Sequence, residues 1–283
     1  MIDFGGKVVL VTGGSRGIGA AIVETLARVN ANVVLHYGRS RAEAETLAGR
    51  IGLDRCLPVQ ADLAEEASAP RLWREALKWK GRVDVLINNA GIATTTRIED
   101  DLDTWHRTWS EVLRVNLIAA ADLCREAIPH FAQHGGGIIV NVASRAAFRG
   151  DQPEMMHYAA SKAGLVALTR SIARGYGKQN VVAYAVAPGF VLTEMAEQAI
   201  RDHGSEFVRK DIALPDMTGP ADVANVVAFL ASGLARHGGK RSFWSGKRAS
   251  LLHRFSPASG GIRARRSRHH AEIISRRARI RAM

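Results

Sequence analysis

The sequence predicts an α/β fold, a doubly wound and mostly parallel sheet flanked by helices, and three observations carry that prediction. Short apolar runs of strand length alternate with helical periodicities in a βαβ rhythm. The first such run, Lys7-Val8-Val9-Leu10-Val11-Thr12, passes directly into Gly13-Gly14-Ser15-Arg16-Gly17-Ile18-Gly19, and a helical pattern through Ala20, Ala21, Ile22, Leu26 and Ala27 follows at once. Polar motifs recur at the carboxyl ends of the predicted strands, the edge at which open parallel sheets hold ligands.

The elements follow in order. After the first βα unit, Asn32–Tyr37 reads as strand two, Arg41–Ile51 as a helix, Cys56–Gln60 as strand three and 65–80 as a helix. Strand four, 83–87, delivers Asn88-Asn89-Ala90-Gly91 at its end. Two helices are expected next, one ending at Leu113 and one over 116–134, before Gly135-Gly136-Gly137 breaks the pattern. Strand five is 137–143, a long helix covers 156–177, Val181–Ala187 is strand six, and 220–232 is a further helix. Parallel strands joined through helices cross over right-handed, which closes these units into a doubly wound sheet.

Two constellations carry chemistry. A strand, a glycine-rich turn and a helix N-terminus form a pyrophosphate site, because backbone without side chains lets N–H groups and the helix dipole approach the anion. The second is Tyr158-x-x-x-Lys162 on the apolar helix, with Ser144 14 residues upstream at the end of strand five. A phenol keeps its proton to about pH 10. Spacing of i,i+4 puts both side chains on one helix face, where an ammonium is expected to stabilise the phenolate and permit proton exchange with a substrate oxygen.

With Thr12-Gly13-x-x-x-Gly17-x-Gly19, Asp62, Asn88-Asn89-Ala90-Gly91, Asn116, Ser144, Tyr158/Lys162 and Pro188-Gly189 in this order, residues 1 to about 235 resemble the short-chain dehydrogenase/reductase family, in its 3-oxoacyl-carrier-protein reductase flavour. The resemblance implies a Rossmann fold and an oxidoreductase moving a hydride between nicotinamide and a carbonyl or secondary alcohol. It implies a catalytic set of Asn116, Ser144, Tyr158 and Lys162. For the cofactor it implies Gly13, Ser15, Arg16, Gly17, Ile18, Gly19, Asp62, Leu63, Asn89, Ala90, Gly91, Tyr158, Lys162, Pro188, Gly189 and Thr193. Asp62 is expected at the adenine amino group, with an N-cap of the next helix as its alternative role. Asn116 is expected to open its helix locally. Strand two is followed by Tyr37-Gly38-Arg39-Ser40-Arg41, without the acid that holds a ribose 2′-hydroxyl. Arg39 and Arg16 instead suit a 2′-phosphate, so NADP(H) is the expected cofactor.

Two departures stand out. Ser144 and Tyr158 lie one position further apart than the family pattern, so the loop 145–157, with Arg145, Arg149, Asp151, Gln152 and His157, is expected to have its own shape; it suits an anionic substrate or is a solvated charged loop. After the helix 220–232 the family adds a final strand, and here no stretch alternates or stays apolar long enough for a buried one, so that strand is expected to be missing or altered.

The net charge of +12 is confined to this end: residues 236–283 hold 14 Lys/Arg and one acid, Glu272. The chain therefore divides into a catalytic domain, 1–235, and a basic tail, 236–283. The tail reads as a cationic arm for nucleic acid or acidic lipid, an idle disordered extension, or an abnormal end such as translation in a shifted frame. Nucleic acid is not expected as a partner, the tail being the one segment that could bind it, and an idle or abnormal end is preferred to a binding arm. Cys56 and Cys124 have no spacing for metal or redox work, no metal site is expected, and both fit a reduced cytoplasmic protein. No signal peptide is read at the start, and no apolar run approaches the ~20 residues of a membrane span. The resemblance also implies a small-molecule or acyl-thioester substrate and a homo-oligomer through the helices 116–134 and 156–177.

Overall fold

In a computed structural model of the chain, residues 2–204, 216–236 and 242–244 are described. All of them lie in the first of two units, Met1–Leu251 and Leu252–Met283. The expectations for the basic tail, Arg236 and 242–244 apart, fall outside the described residues.

Apolar runs form the strands β1 (Val8–Val11), β2 (Asn32–Tyr37), β3 (Cys56–Gln60), β4 (Val85–Asn88), β5 (Gly137–Val142) and β6 (Val181–Ala187), buried on both faces except in the edgeward β3, where only Cys56 is buried. Near-continuous apolar runs are what a parallel sheet covered on both sides requires. A short β7 (Ser242–Trp244) completes the order β3-β2-β1-β4-β5-β6-β7, with every pairing parallel. The order reverses between β1 and β4, and a crevice opens there at the carboxyl ends. The final strand is thus present in altered form. It covers only Ala185–Ala187 of β6 and lies beyond the expected boundary at 235.

The helices are α1 (Gly17–Arg28), α2 (Arg41–Ile51), α3 (Ser68–Lys80), α4 (Leu102–Leu113), α5 (Ala119–Gln133), the single turn α6 (Ala146–Arg149), α7 (Met156–Tyr176), α8 (Glu194–His203) and α9 (Pro220–Ala231). Two apolar layers sandwich the sheet. On one face Val9, Val11, Val33 and Leu35 pack with Ile22 and Leu26 of α1 and Val223 and Val227 of α9. On the other, Leu10, Val34 and Leu86 meet Leu72 and Trp73 of α3, Leu123 and Phe131 of α5 and Ile172 of α7. Alternate residues of one strand therefore serve opposite layers, as the pleat dictates. Among the described residues no helix is long and apolar enough to cross a membrane.

One polar chain runs through this core and positions α7. Asn88 Nδ2 donates to Asn141 Oδ1 at 2.8 Å, and Asn141 Nδ2 donates to Thr169 Oγ1 at 2.8 Å. Thr169 in turn donates to Leu165 O at 2.7 Å. Buried amides left unpaired are costly, so this chain pins β4, β5 and α7 in one register.

Candidate active site

The glycine turn has no room for side chains. Gly13 and Gly17 have φ of +63° and +55°, in the left-handed region that favours glycine. A Cβ on Gly13 would lie 2.9 Å from Ala90 Cα, and one on Gly19 would lie 1.9 Å from Gly13 O. Thr12 and Asn89 lock this contact. Thr12 Oγ1 accepts the N–H groups of Asn89 and Ala90 at 2.9 and 3.0 Å, while Asn89 Nδ2 donates to the carbonyls of Thr12 and Gly13, each at 3.0 Å. α1 begins here with no side-chain cap and no acid in its first turn. Its first N–H groups, at Gly17, Ile18 and Gly19, are thus presented to the crevice as an anion site. Ser15 lies half-buried in the same turn.

Tyr158 and Lys162 stand on the first turns of α7, as the spacing predicts. Lys162 Nζ lies 5.7 Å from the Tyr158 ring centre and donates to Val142 O at 3.0 Å. A Cβ on Gly91 would come within 3.2 Å of the same Nζ, which places the ammonium against the segment that packs on the glycine turn. Ser144, just past β5, stands close enough to the Tyr158 hydroxyl to oppose the rise in its pKa. Ser144 Oγ also accepts Ala146 N–H at 3.2 Å. Asn116 is buried in a π-turn, Arg114–Ile118, between α4 and α5. Its amide pairs with both backbone groups of Ile92, at 2.8 and 2.9 Å, and donates to Ser161 Oγ at 3.1 Å. The local opening of the helix at Asn116 is therefore present, since i→i+5 bonding widens the turn.

Burial is the first influence on the ionisation of both members of the pair. Burial holds the Tyr158 phenol above its ordinary value, offset in part by the Ser144 hydrogen bond and reinforced by the Asp151 charge. Burial lowers Lys162 to about 8. The arrangement keeps a protonated phenol beside a protonated lysine at neutral pH.

A model of the short chain dehydrogenases matches residues 7–204. The chain belongs to this family. As a short-chain dehydrogenase it is an oxidoreductase acting on an alcohol/ketone pair. It is 35% identical over 234 residues to a 3-oxoacyl-acyl-carrier-protein reductase of Staphylococcus aureus, covering 82% of this chain and 93% of that one. Among solved structures it is similar to a 3-ketoacyl-(acyl-carrier-protein) reductase from Brucella melitensis complexed with NADH, with a TM-score of 0.77, 30% identity, and 87% and 98% of the two chains covered. It is likewise similar to a blue fluorescent protein from a metagenomic library in complex with NADPH, with a TM-score of 0.77, 34% identity, and 86% and 97% covered.

The other predicted residues of this dehydrogenase line the same edge of the sheet. Asp62, with Leu63 buried beside it, follows β3; its Oδ1 accepts Ala64 N–H at 2.9 Å. The expected N-cap role is corrected, because α3 begins at Ser68 and Asp62 instead closes a tight turn. Pro188 and Gly189 follow β6, and Thr193 caps α8 by accepting Ala196 N–H. Thr193 also meets the glycine turn, 3.3 Å from where a Gly17 Cβ would stand. Arg39 is exposed after β2. Arg16 reaches across to Glu194 Oε2 at 2.6 Å, a partner the sequence did not suggest. In the loop 145–157 neither Arg145 nor His157 is solvated: Arg145 lies 4.1 Å over the Phe190 ring, and His157 is fully buried with Nε2 2.6 Å from Thr94 O. His36, buried in β2 under the glycine turn, was missed. The signal was a titratable residue inside Val33-Val34-Leu35-His36-Tyr37, an otherwise apolar strand.

Proposed function

We propose that the protein is an NADP(H)-dependent reductase of 3-oxoacyl thioesters. The observation that carries this reading is Ser144 beside the Tyr158 hydroxyl with Lys162 one helical turn on, next to a glycine turn where Gly13 and Gly19 leave no space for a Cβ. Gly13, Ser15, Gly17, Ile18 and Gly19 would hold the pyrophosphate, Asp62 and Leu63 the adenine, and Asn89, Ala90 and Gly91 the adjoining ribose. Lys162 and Tyr158 would bind the nicotinamide ribose, and Pro188, Gly189 and Thr193 the carboxamide side. When bound, the nicotinamide supplies the hydride.

Tyr158 gives its proton to the carbonyl oxygen, and the Lys162 ammonium beside it favours the phenolate that remains. Ser144 donates a hydrogen bond to the same oxygen as negative charge develops. Lys162 spends one N–H on Val142 O and keeps donors for ribose hydroxyls. Asn116 and Ser161 stand behind it and hold the π-turn that shapes the proton route. Arg16 and Arg39 take the 2′-phosphate, for which Arg16 must leave Glu194. That exchange is cheap, because an exposed ion pair contributes only about 0–1 kcal/mol.

The likeness to acyl-carrier-protein reductases points to an acyl thioester as substrate. The protein acts as a homo-oligomer through α5 and α7, between which an apolar groove is lined by Ala121, Cys124, Ile128, Pro129, Leu168 and Ile172. Burial pushes both cysteine thiols up to about 12, which leaves them inert and fits a reducing cytoplasm. The catalytic unit is taken as 1–235 with β7, and the basic remainder plays no part in turnover.

The test is the loss of NADPH absorbance with a 3-oxoacyl thioester, against keto-sugars and quinones, and with NADH in place of NADPH. Preferred turnover of the thioester with NADPH is expected; turnover of another carbonyl class alone would remove the substrate assignment.

A further inference from the structure

His36 joins three parts of the cleft through one ring. It is 3% exposed in β2. Its Nδ1 accepts the backbone N–H of Gly13 at 3.0 Å, and its Nε2 lies 2.9 Å from Ala61 O, one residue before Asp62. Its own carbonyl accepts Gly14 N–H at 2.8 Å. A carbonyl oxygen only accepts, so Nε2 carries the proton and Nδ1 is bare, which defines a single neutral tautomer. The Gly13 contact has no slack, since that residue has a positive φ and its backbone already meets Ala90 on the other side.

We propose that His36 is a positioning residue for the dinucleotide: its ring sets the glycine turn at a fixed height above the Ala61-Asp62 loop, so that the pyrophosphate and adenine contacts can be made together. The proposal rests on the cofactor reading given above. It goes beyond that reading because His36 touches no part of the ligand and acts through Gly13 and Ala61. Burial lowers the imidazole to about 4, with the Asp62 carboxylate opposing that shift, so the neutral tautomer persists at neutral pH. Protonation would turn a second N–H toward Gly13 N–H and break the support.

The test measures NADPH affinity by fluorescence titration and steady-state kinetics on the full chain. His36→Phe keeps the bulk and loses both ring contacts; it is expected to weaken NADPH binding about tenfold, with kcat at saturating cofactor within about twofold. His36→Asn, whose Oδ1 takes the place of Nδ1, is expected to restore most of the affinity, and His36→Gln, which mimics only Nε2, is not. Wild-type affinity in His36→Phe, or rescue by Gln and not by Asn, would overturn the proposal. Should His36→Phe fail to fold, the Asn/Gln pair and the ¹⁵N spectrum of the wild-type ring decide: a neutral Nε2-protonated imidazole supports the proposal, and an Nδ1-protonated or charged ring at neutral pH overturns it. A wild-type protein that binds neither NADPH nor NADH would instead refute the cofactor reading on which it rests.

Discussion

Lys162 is where stability and function oppose each other. Its folded value of about 8 lies below the ordinary 10.5 because burial disfavours the ammonium. Between those values the unfolded chain binds more protons, so stability rises as pH climbs from about 8 to 10.5, and the penalty is complete below 8. At neutral pH that penalty amounts to about 3 kcal/mol. Lys162→Met is therefore expected to abolish turnover while raising neutral-pH stability by up to about 3 kcal/mol in urea unfolding, an advantage that shrinks above pH 8. Stability equal to or below wild type at neutral pH would show that the ammonium is not strained by burial. His36 has the same sign in a lower window. With a folded value of about 4 against 6.5, it costs nothing above 6.5 and removes about 3 kcal/mol as pH falls to 4. Removing the ring with His36→Asn should flatten this part of the acid unfolding profile; an unchanged profile would contradict a buried neutral imidazole.

At the scale of elements, the glycine turn and the β4-β5-α7 polar chain hold the site together by different means. The turn works by exclusion. Gly19→Ala places a Cβ against Gly13 O and within 2.7 Å of Asn89 Nδ2, so the turn must leave β4. The expected result is loss of cofactor binding together with destabilisation of about 2–4 kcal/mol, read by titration and thermal unfolding. The polar chain works by satisfaction. Thr169→Val strands the Asn141 amide and should cost about 1–3 kcal/mol without changing the cofactor Kd, as measured by urea unfolding and NADPH titration.

These elements were legible to different degrees. Strands β1 to β6, the glycine turn and the Tyr158/Lys162 face follow from periodicity and spacing, because those features are local. The start of α3 was misplaced because Glu65 and Glu66 read as a first helical turn, whereas the chain spends them in the turn closed by Asp62. β7 escaped because three residues, Ser242-Phe243-Trp244, are too few to show any period. His36, the Asn141–Thr169 bond and the Arg16–Glu194 pair join residues far apart in sequence, and no spacing rule reaches them. The upward shift of Tyr158 comes first from burial, a property of the packed fold that no spacing rule carries.

For the whole molecule, the groove between α5 and α7 is the surface on which the proposed homo-oligomer rests. Leu168→Arg places a charge in that groove and is expected to shift the protein toward monomer in sedimentation, with little change in the fold. An unaltered sedimentation coefficient would move the interface elsewhere. In the proposed mechanism the glycine turn and the buried lysine serve one event, the transfer of the Tyr158 proton to a substrate oxygen held by Ser144. The most direct measurement is NADPH oxidation by Tyr158→Phe beside wild type, with cofactor affinity measured on both. NADPH binding weakened by no more than the one lost ribose hydrogen bond, about tenfold at most, and turnover reduced at least about a thousandfold are expected. Turnover within about tenfold of wild type would mean that another group supplies the proton, and that the phenol beside Lys162 is not the acid of this enzyme.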